Sequence, residues 1–437
     1  MLSSTLFLSV LLVWNTAFAK GGFGLPLQKV FSRINSIEKS ALPALTTAVS
    51  PLILLALSTS RAEMSQLNKK AIHVSGPFFQ GWLLRVIDHD QSLSAICIVG
   101  SFSARKQAQY TENYVFCAVD SPSMTEHAEM FIDSSDVSVG KVSNRYQALD
   151  IKWESREAHF TFNDTHCTGQ FNFPGKFSIT FNATDRIQWA PQSKHFSFGG
   201  PEGWLGMMSS LMPCHYFVHS VGSRCFYLIQ RANQEIRARP RITPLFGSLL
   251  RRFVHQGRTP LQTISGQGFA HIEGNHGTAF PEGWIWSQGI AVNNTASYSL
   301  ALGKFAIAGM TPTNCVLYLR RTSGETVVVR TTDLDQMSYT TNATDGSILL
   351  LGTSVLKRFK MQLSIQPQGS ATAAFSVKVQ IPTVDGFTQD PGCKETYTAL
   401  ATVKYTDTSA QQPVEEEYLF PLSALEYGGS FLQKLLP

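Results

Sequence analysis

No two cysteines in this chain stand as a CxxC pair, which removes the zinc ribbon and the dense disulfide framework from consideration. The seven that exist (Cys97, Cys117, Cys167, Cys214, Cys225, Cys315 and Cys393) are scattered and odd in number, so at least one stays unpaired within the chain. Cys214 and Cys225 have the spacing to bridge a hairpin in an oxidising compartment; ordinary buried thiols are the alternative. Neither GxGxxG nor GxxxxGK[ST] occurs, so no nucleotide loop is written here. Charge is also scarce, 15% of residues against 43% apolar, which is a globular composition and not a disordered one. Of the 36 basic and 31 acidic residues, five and one fall in the first 62 positions; the remaining 31 against 30 give a nucleic-acid partner no support.

Helical periodicity is nearly as rare. From residue 66 onward the chain runs in short alternating or apolar stretches such as "LSAICIVGSF", "KFSITFN", "CVLYLRR", "RFKMQLSIQ" and "LATVKYTD", broken by Gly, Asn, Asp and Pro. Strand-sized, β-branched runs at roughly ten-residue spacing predict an all-β protein of sandwiches or barrels. The best helical segment, residues 244–256, sits in a stretch (231–258) with seven arginines and one glutamate. Its Arg251 and Arg252 are the candidate contact to a membrane or lipid-droplet surface, against a solvated insertion packed on a barrel. "PFFQGW", "GPEGW" and "FPEGW" each end in Gly-Trp before an apolar run, an echo that two related barrels would produce.

The first 62 residues read as targeting sequence. Residues 1–19 have an apolar core and an A-x-A site, a secretory signal; residues 20–62 are basic and nearly acid-free, with a second apolar run. This order resembles the leader of plastid proteins in algae whose plastid lies inside the secretory system. Secretion is the alternative, and the N-x-Ser/Thr sequons at Asn163, Asn182, Asn293 and Asn342 bear on it.

Residues 270–289, "AHIEGNHGTAFPEGWIWSQG", concentrate two histidines, two carboxylates and two tryptophans. Strand alternation puts His271 and Glu273 on one face, with "GNHG" turning the chain and bringing Asn275 or His276 near it. Trp284, Trp286 and Gln288 share a face of the following strand. Three readings fit: a metal on His271, Glu273 and His276; satisfied polar groups at a barrel mouth; or a carboxylic acid held against indoles that protonates an alkene while the rings stabilise a cation.

The same stretch resembles the second-half motif of tocopherol cyclases, Y-x-E-[KG]-[ND]-W-G-x-x-FP-x-x-[WY]-x-W-x-Q. "GPFFQGWLLRV", "GKFSITFN", "GWLGMMSSLMPCHYFVHSV" and "YLFPLSALEYGGSF" resemble further stretches of that family in the same order, over about residues 74–431. The resemblance implies two lipocalin-like antiparallel β-barrels in tandem, related to carotenoid hydratases, with few short helices. It divides the chain into a first barrel with its connecting insertion (63–265) and a second (266–437). It implies an enzyme of plastids that closes the chromanol ring of a prenylated benzoquinol by protonating the prenyl double bond, with no cofactor and no metal. A non-catalytic carrier of prenylquinones or carotenoids is the alternative.

Residue by residue, Glu273 matches the motif's acid and is the candidate proton donor, with His271, Asn275 and His276 beside it. Trp284, Trp286 and Gln288 match the aromatic, the tryptophan and the glutamine that follow, as cavity wall and substrate hydrogen bonder. Gln80, Trp82 and His215 complete the substrate-binding set. Gln80 stands where the family has Glu, Leu83 where it has an aromatic, His276 where it has Trp, and Tyr216-Phe217 where it has His-Gly.

Overall fold

The computed structural model describes residues 78–103, 112–133, 136–140, 151–163, 165–189, 200–203, 205, 213–231, 262–305, 311–368, 374–383, 385–388, 392–409 and 411–432. The leader (1–62), the segment 244–256 with Arg251 and Arg252, and Trp204 lie outside these residues.

The first sheet is built from β1 (Phe78–Asp88), β2 (Leu93–Ser103), β3 (Glu112–Ser121), β4 (Met124–Asp133), β5 (Ser138–Gly140), β6 (Ile151–Glu154), β7 (Ala158–Phe162), β8 (Cys167–Phe173), β9 (Phe177–Thr184), β10 (Cys214–Arg231) and β11 (Thr263–Gly277). They pair in the order β4-β3-β2-β1-β11-β10-β9-β8-β7-β6-β5. The second sheet takes β12 (Gly283–Ile290), β13 (Ser297–Lys304), β14 (Thr313–Arg320), β15 (Thr326–Arg330), β16 (Gln336–Thr341), β17 (Ile348–Ser354), β18 (Phe359–Gln366), β19 (Val377–Val379), β20 (Cys393–Asp407) and β21 (Val414–Gly429). Its order is β15-β14-β13-β12-β21-β20-β18-β17-β16, with β19 on β20. All pairings are antiparallel, and in each sheet the first strand pairs with the last, which curls the meander into a nearly closed barrel. The all-β tandem expected from the sequence is what forms.

Burial patterns show how the barrels meet. On β4, "MTEHAEMFID" buries every fourth residue and half-buries the one midway between, with exposed residues on either side, and β17 and β18 alternate strictly, as a wall between a core and water does. On β2 and β12 nearly every residue is buried on both faces. Those strands stand between their own barrel core and the other barrel. Trp82, Leu84, Val86, Ala270 and Ile272 fill the first core; Ile285, Leu300, Leu317 and Leu350 fill the second. Ile96, Phe116, Trp284, Trp286 and Tyr397 form a third apolar cluster between the two.

The passage between barrels differs from the sequence reading. "GNHG" does not turn: β11 stays paired to β1 and to β10 as far as Gly277, which stands opposite both Phe79 and Cys214. A Cβ at Gly277 would lie 2.1 Å from the Pro213 carbonyl oxygen, so the glycine serves close strand packing, not a turn. The chain crosses at residues 278–282, beyond the division read at 265/266, and β11 belongs to the first barrel. Cys214 and Cys225 lie on one strand, β10, and do not bridge; all seven cysteines are free, buried thiols.

Polar side chains lock the two barrels together. Arg85, fully buried on β1, donates to Ser94 Oγ (3.0 Å) and reaches across to the carbonyl oxygens of Tyr397 (3.0 Å), Leu422 and Gln288 (3.5 Å). A bulged register between β20 and β21 and a left-handed Leu422 (φ 57°) turn the Tyr397 and Leu422 carbonyls toward it. Asn294 Nδ2 donates to the Gly222 carbonyl at 2.8 Å, and His89 Nε2 lies 2.9 Å from that of Ile290.

Candidate functional site

A cavity of about 210 Å³ lies where the outer faces of the two barrels meet. Phe79, Leu83, Ile98, Phe280, Trp284 and Trp286 make most of its wall apolar, while Tyr216, Glu273, Asn275, Glu395 and Glu426 are among its polar groups, with Glu202 at its edge. Few polar groups on an apolar wall is the usual make-up of a small-molecule site. The cavity lies between the barrels, bordered by Trp82 of the first core and Ile285, Leu302 and Cys315 of the second, where the sequence suggested a barrel mouth. Alternation explains it: even positions of β11 (Ala270, Ile272) feed the first core, and odd positions (His271, Glu273, Asn275) face the other barrel.

Glu273 Oε2 lies 2.6 Å from His271 Nε2 and accepts from Tyr216 Oη at 2.8 Å. The Tyr216 hydroxyl has one proton and gives it to Glu273, so Ser299 Oγ, 3.2 Å away on β13 of the other barrel, must be the donor to it. Burial, and then the neighbouring Glu273, push the Tyr216 phenol well above its ordinary value, so it remains a donor at neutral pH. Both neighbours address one oxygen of Glu273, which accepts from the Tyr216 hydroxyl.

The opposite wall is one lateral row. Trp286 on β12 stands opposite Glu426 on β21, and Glu426 stands opposite Glu395 on β20. Trp284 Nε1 donates to Glu426 Oε1, and Tyr397 Oη to Glu395 Oε2. Gly428 makes the first of these contacts geometrically possible: a Cβ there would meet Trp284 Cζ2 at 2.0 Å. The indole of Trp284 packs edge-on against Phe280 (4.9 Å), and Trp286 sits edge-on to His271 (6.4 Å). The Trp286 indole N–H faces the Tyr216 hydroxyl without an aligned bond.

Like charges directly across a strand pair repel, and here they would do so in an apolar setting. Burial first, then the proximity of Glu426, raises the Glu395 carboxyl well above the carboxylate range; burial also raises Glu426. Cys393 completes the row, one ligand atom from each of Cys393, Glu395 and Glu426 lying within 4.8 Å of the others. Burial raises that thiol too. Three donors, with both carboxyls already accepting hydrogen bonds and the sulfur a thiol, fall short of a closed metal set.

Of the residues singled out from sequence, Glu273, His271, Asn275, Trp284 and Trp286 converge on this side of the molecule. Gln288 shares the face of Trp286; its carbonyl accepts from Arg85, and its amide is wholly buried without a hydrogen-bond partner among the described residues. His276 does not join them. It faces the other way, stacked on His215 (5.2 Å), whose Nδ1 lies 2.9 Å from Glu202 Oε2. Burial, and then His215, lowers the His276 imidazole to about 3. The metal reading on His271, Glu273 and His276 therefore fails, because an odd and an even position of one strand cannot share a ligand. Gln80 and Trp82 border the cavity, yet Trp82 packs in the first core. Tyr216, Ser299, Arg85, Glu395 and Glu426 were not picked out; Glu426 lies in "SALEYGG", a stretch that the sequence flagged without assigning it a role.

Comparison with family models and with curated sequences finds no match. Among solved structures, the chain is similar to a candidate AttH from Nitrosomonas europaea, at 11% identity over 81% of this chain and 93% of that one (TM-score 0.47). It is similar to CghA with Sch210972, at 10% identity over 81% and 88% (TM-score 0.49). It is also similar to kievitone hydratase from Nectria haematococca, at 9% identity over 85% and 93% (TM-score 0.39).

Proposed function

We propose that this protein is a proton-transfer enzyme acting on the carbon–carbon double bond of a prenyl lipid, closing a chromanol ring on a prenylated benzoquinol. The observation that carries the reading is the setting of Glu273, a carboxyl held by His271 and Tyr216 in the wall of a mostly apolar cavity, with two indoles on the facing wall. Indole faces stabilise a tertiary cation. Each buried methylene of an apolar tail contributes about 0.8 kcal/mol of binding. The phenol oxygen that traps the cation must shed a proton, and a carboxyl within reach is what the reaction requires.

Incubating the purified chain with phytylated and solanesylated benzoquinols, and reading chromanol by mass and fluorescence, tests this. Product that disappears in Glu273→Gln, with lipid binding retained, supports the enzyme. Bound prenyl lipid without product under any tail length would make the cavity a carrier's site instead.

A further inference from the structure

Glu395 and Glu426 stand directly opposite each other on neighbouring strands, buried, in the wall of the cavity that Glu273 also lines. Nothing in the proton transfer so far described uses them. Arg85, the cation nearest in effect, spends its hydrogen bonds on Ser94 and on backbone carbonyls. The other titratable groups facing the pair are Cys393 and Tyr397 on its own strands, Glu273 from β11 and Tyr114 from β3. Burial raises Cys393, Tyr397 and Tyr114 so that they stay neutral, and the proximity of Glu273 further raises Glu426. Two adjacent carboxylates cannot both be charged in such a setting without large cost.

We infer that Glu395 and Glu426 hold one proton between them at neutral pH and are the acid arm of the cavity, with Glu273 its base arm. The donor role rests on the reaction proposed above; the shared proton does not. In that reaction the carboxylic O–H adds its proton to the less substituted alkene carbon. The π electrons form the new C–H bond, leaving a tertiary cation beside a pair that passes from one negative charge to two, so the cation itself offsets the second charge until the ring closes and water returns the proton. The phenol oxygen then forms the C–O bond and its proton passes to Glu273. One proton leaves the pair and one arrives at Glu273, no electron is gained or lost overall, and exchange with water resets both arms. Trp284, which hydrogen-bonds Glu426 and faces the cavity, places the acid beside a surface suited to the cation.

Infrared spectroscopy of the full chain at pH 7, read for the carbonyl stretch of a protonated carboxyl and its shift in deuterated water, tests the shared proton. The expected band is present in the wild type and in Glu273→Gln, and absent in the double variant Glu395→Gln/Glu426→Gln. No band in the wild type, or a band that survives in the double variant, overturns the inference. Thermal unfolding of each variant separates loss of the band from loss of the fold. The donor role is read from the rate: Glu426→Gln should lower turnover roughly 100-fold and move the alkaline limb of its pH profile. An unchanged rate and limb would overturn that role. A wild-type band with no chromanol from any benzoquinol supports the shared proton and overturns the cyclisation reading, so the two can fail separately.

Discussion

Glu273 on β11 and the Glu395–Glu426 pair on β20 and β21 line one cavity, but their neighbours differ in kind. Glu273 receives an imidazole and a phenol on a single oxygen, and the phenol is itself supported by Ser299 of the other barrel. The pair is given another carboxyl as its nearest neighbour, with a phenol on one member and an indole on the other. The same side chain is thus arranged as a hydrogen-bond acceptor on one wall and as a crowded, proton-retaining couple on the other. Opposed environments for like residues are how one site carries both an acid and a base.

The sharpest way to break the contrast is Glu273→Gln, which keeps shape and removes the acceptor. Turnover should fall roughly 10² to 10⁴-fold while affinity for a prenylated quinol, followed by tryptophan fluorescence, is unchanged. Equal losses in turnover and affinity would mean that Glu273 is a binding group only. Arg85→Met comes next. It deprives buried carbonyls on the second barrel of their donor, and unfolding should lose about 3 to 5 kcal/mol in denaturant titration. A loss under about 1 kcal/mol would show that Arg85 does not fix the distance between the two walls.

His276 offers a third comparison, because its burial lies in the first barrel and away from the cavity. Its imidazole titrates near 3 when folded and near its usual 6.5 when unfolded. The folded state therefore binds fewer protons within that window. Stability is complete above pH 6.5 and declines as pH falls toward 3, by up to about 1.4 kcal/mol per unit. His276→Gln should flatten that decline in pH-dependent melts and leave turnover intact. Tyr216→Phe is the mildest test, expected to lower turnover about tenfold through loss of one charge-assisted hydrogen bond, with stability changed by about 1 kcal/mol. A variant as slow as Glu273→Gln would place Tyr216 in the proton path itself.

Much of the architecture was legible because alternation is a local property. "KFSITFN" and "RFKMQLSIQ" announce a wall with one wet face, and they became β9 and β18. The pairing of the Gly-Trp stretches with barrel starts also held for Trp82 and Trp284, near the beginnings of β1 and β12. What remained hidden was set by partners distant in sequence. "GNHG" carries turn-forming residues, yet two flanking strands hold it extended, and that one change of geometry moved His276 to the opposite face. "LSAICIVGSF" reads as a buried strand but cannot say that its second face meets another barrel. Glu395 and Glu426 each look like one solvated acid on a strand; only the register of β20 against β21 makes them a pair.

Residues 278–282, the short crossing from one barrel to the other, have a role beyond connection. Phe280 and Pro281 in this segment line the cavity, with Phe280 packed on Phe79 at 5.1 Å and on Trp284 at 4.9 Å. A segment tethered at both ends to paired strands and plugged by an aromatic ring is badly suited to swing. On the proposed function, a substrate would enter past other walls, and the crossing would act as a fixed strut limiting how long a tail can lie inside. Lengthening it by a few residues is then expected to change which tail lengths are turned over, without touching any group that handles a proton.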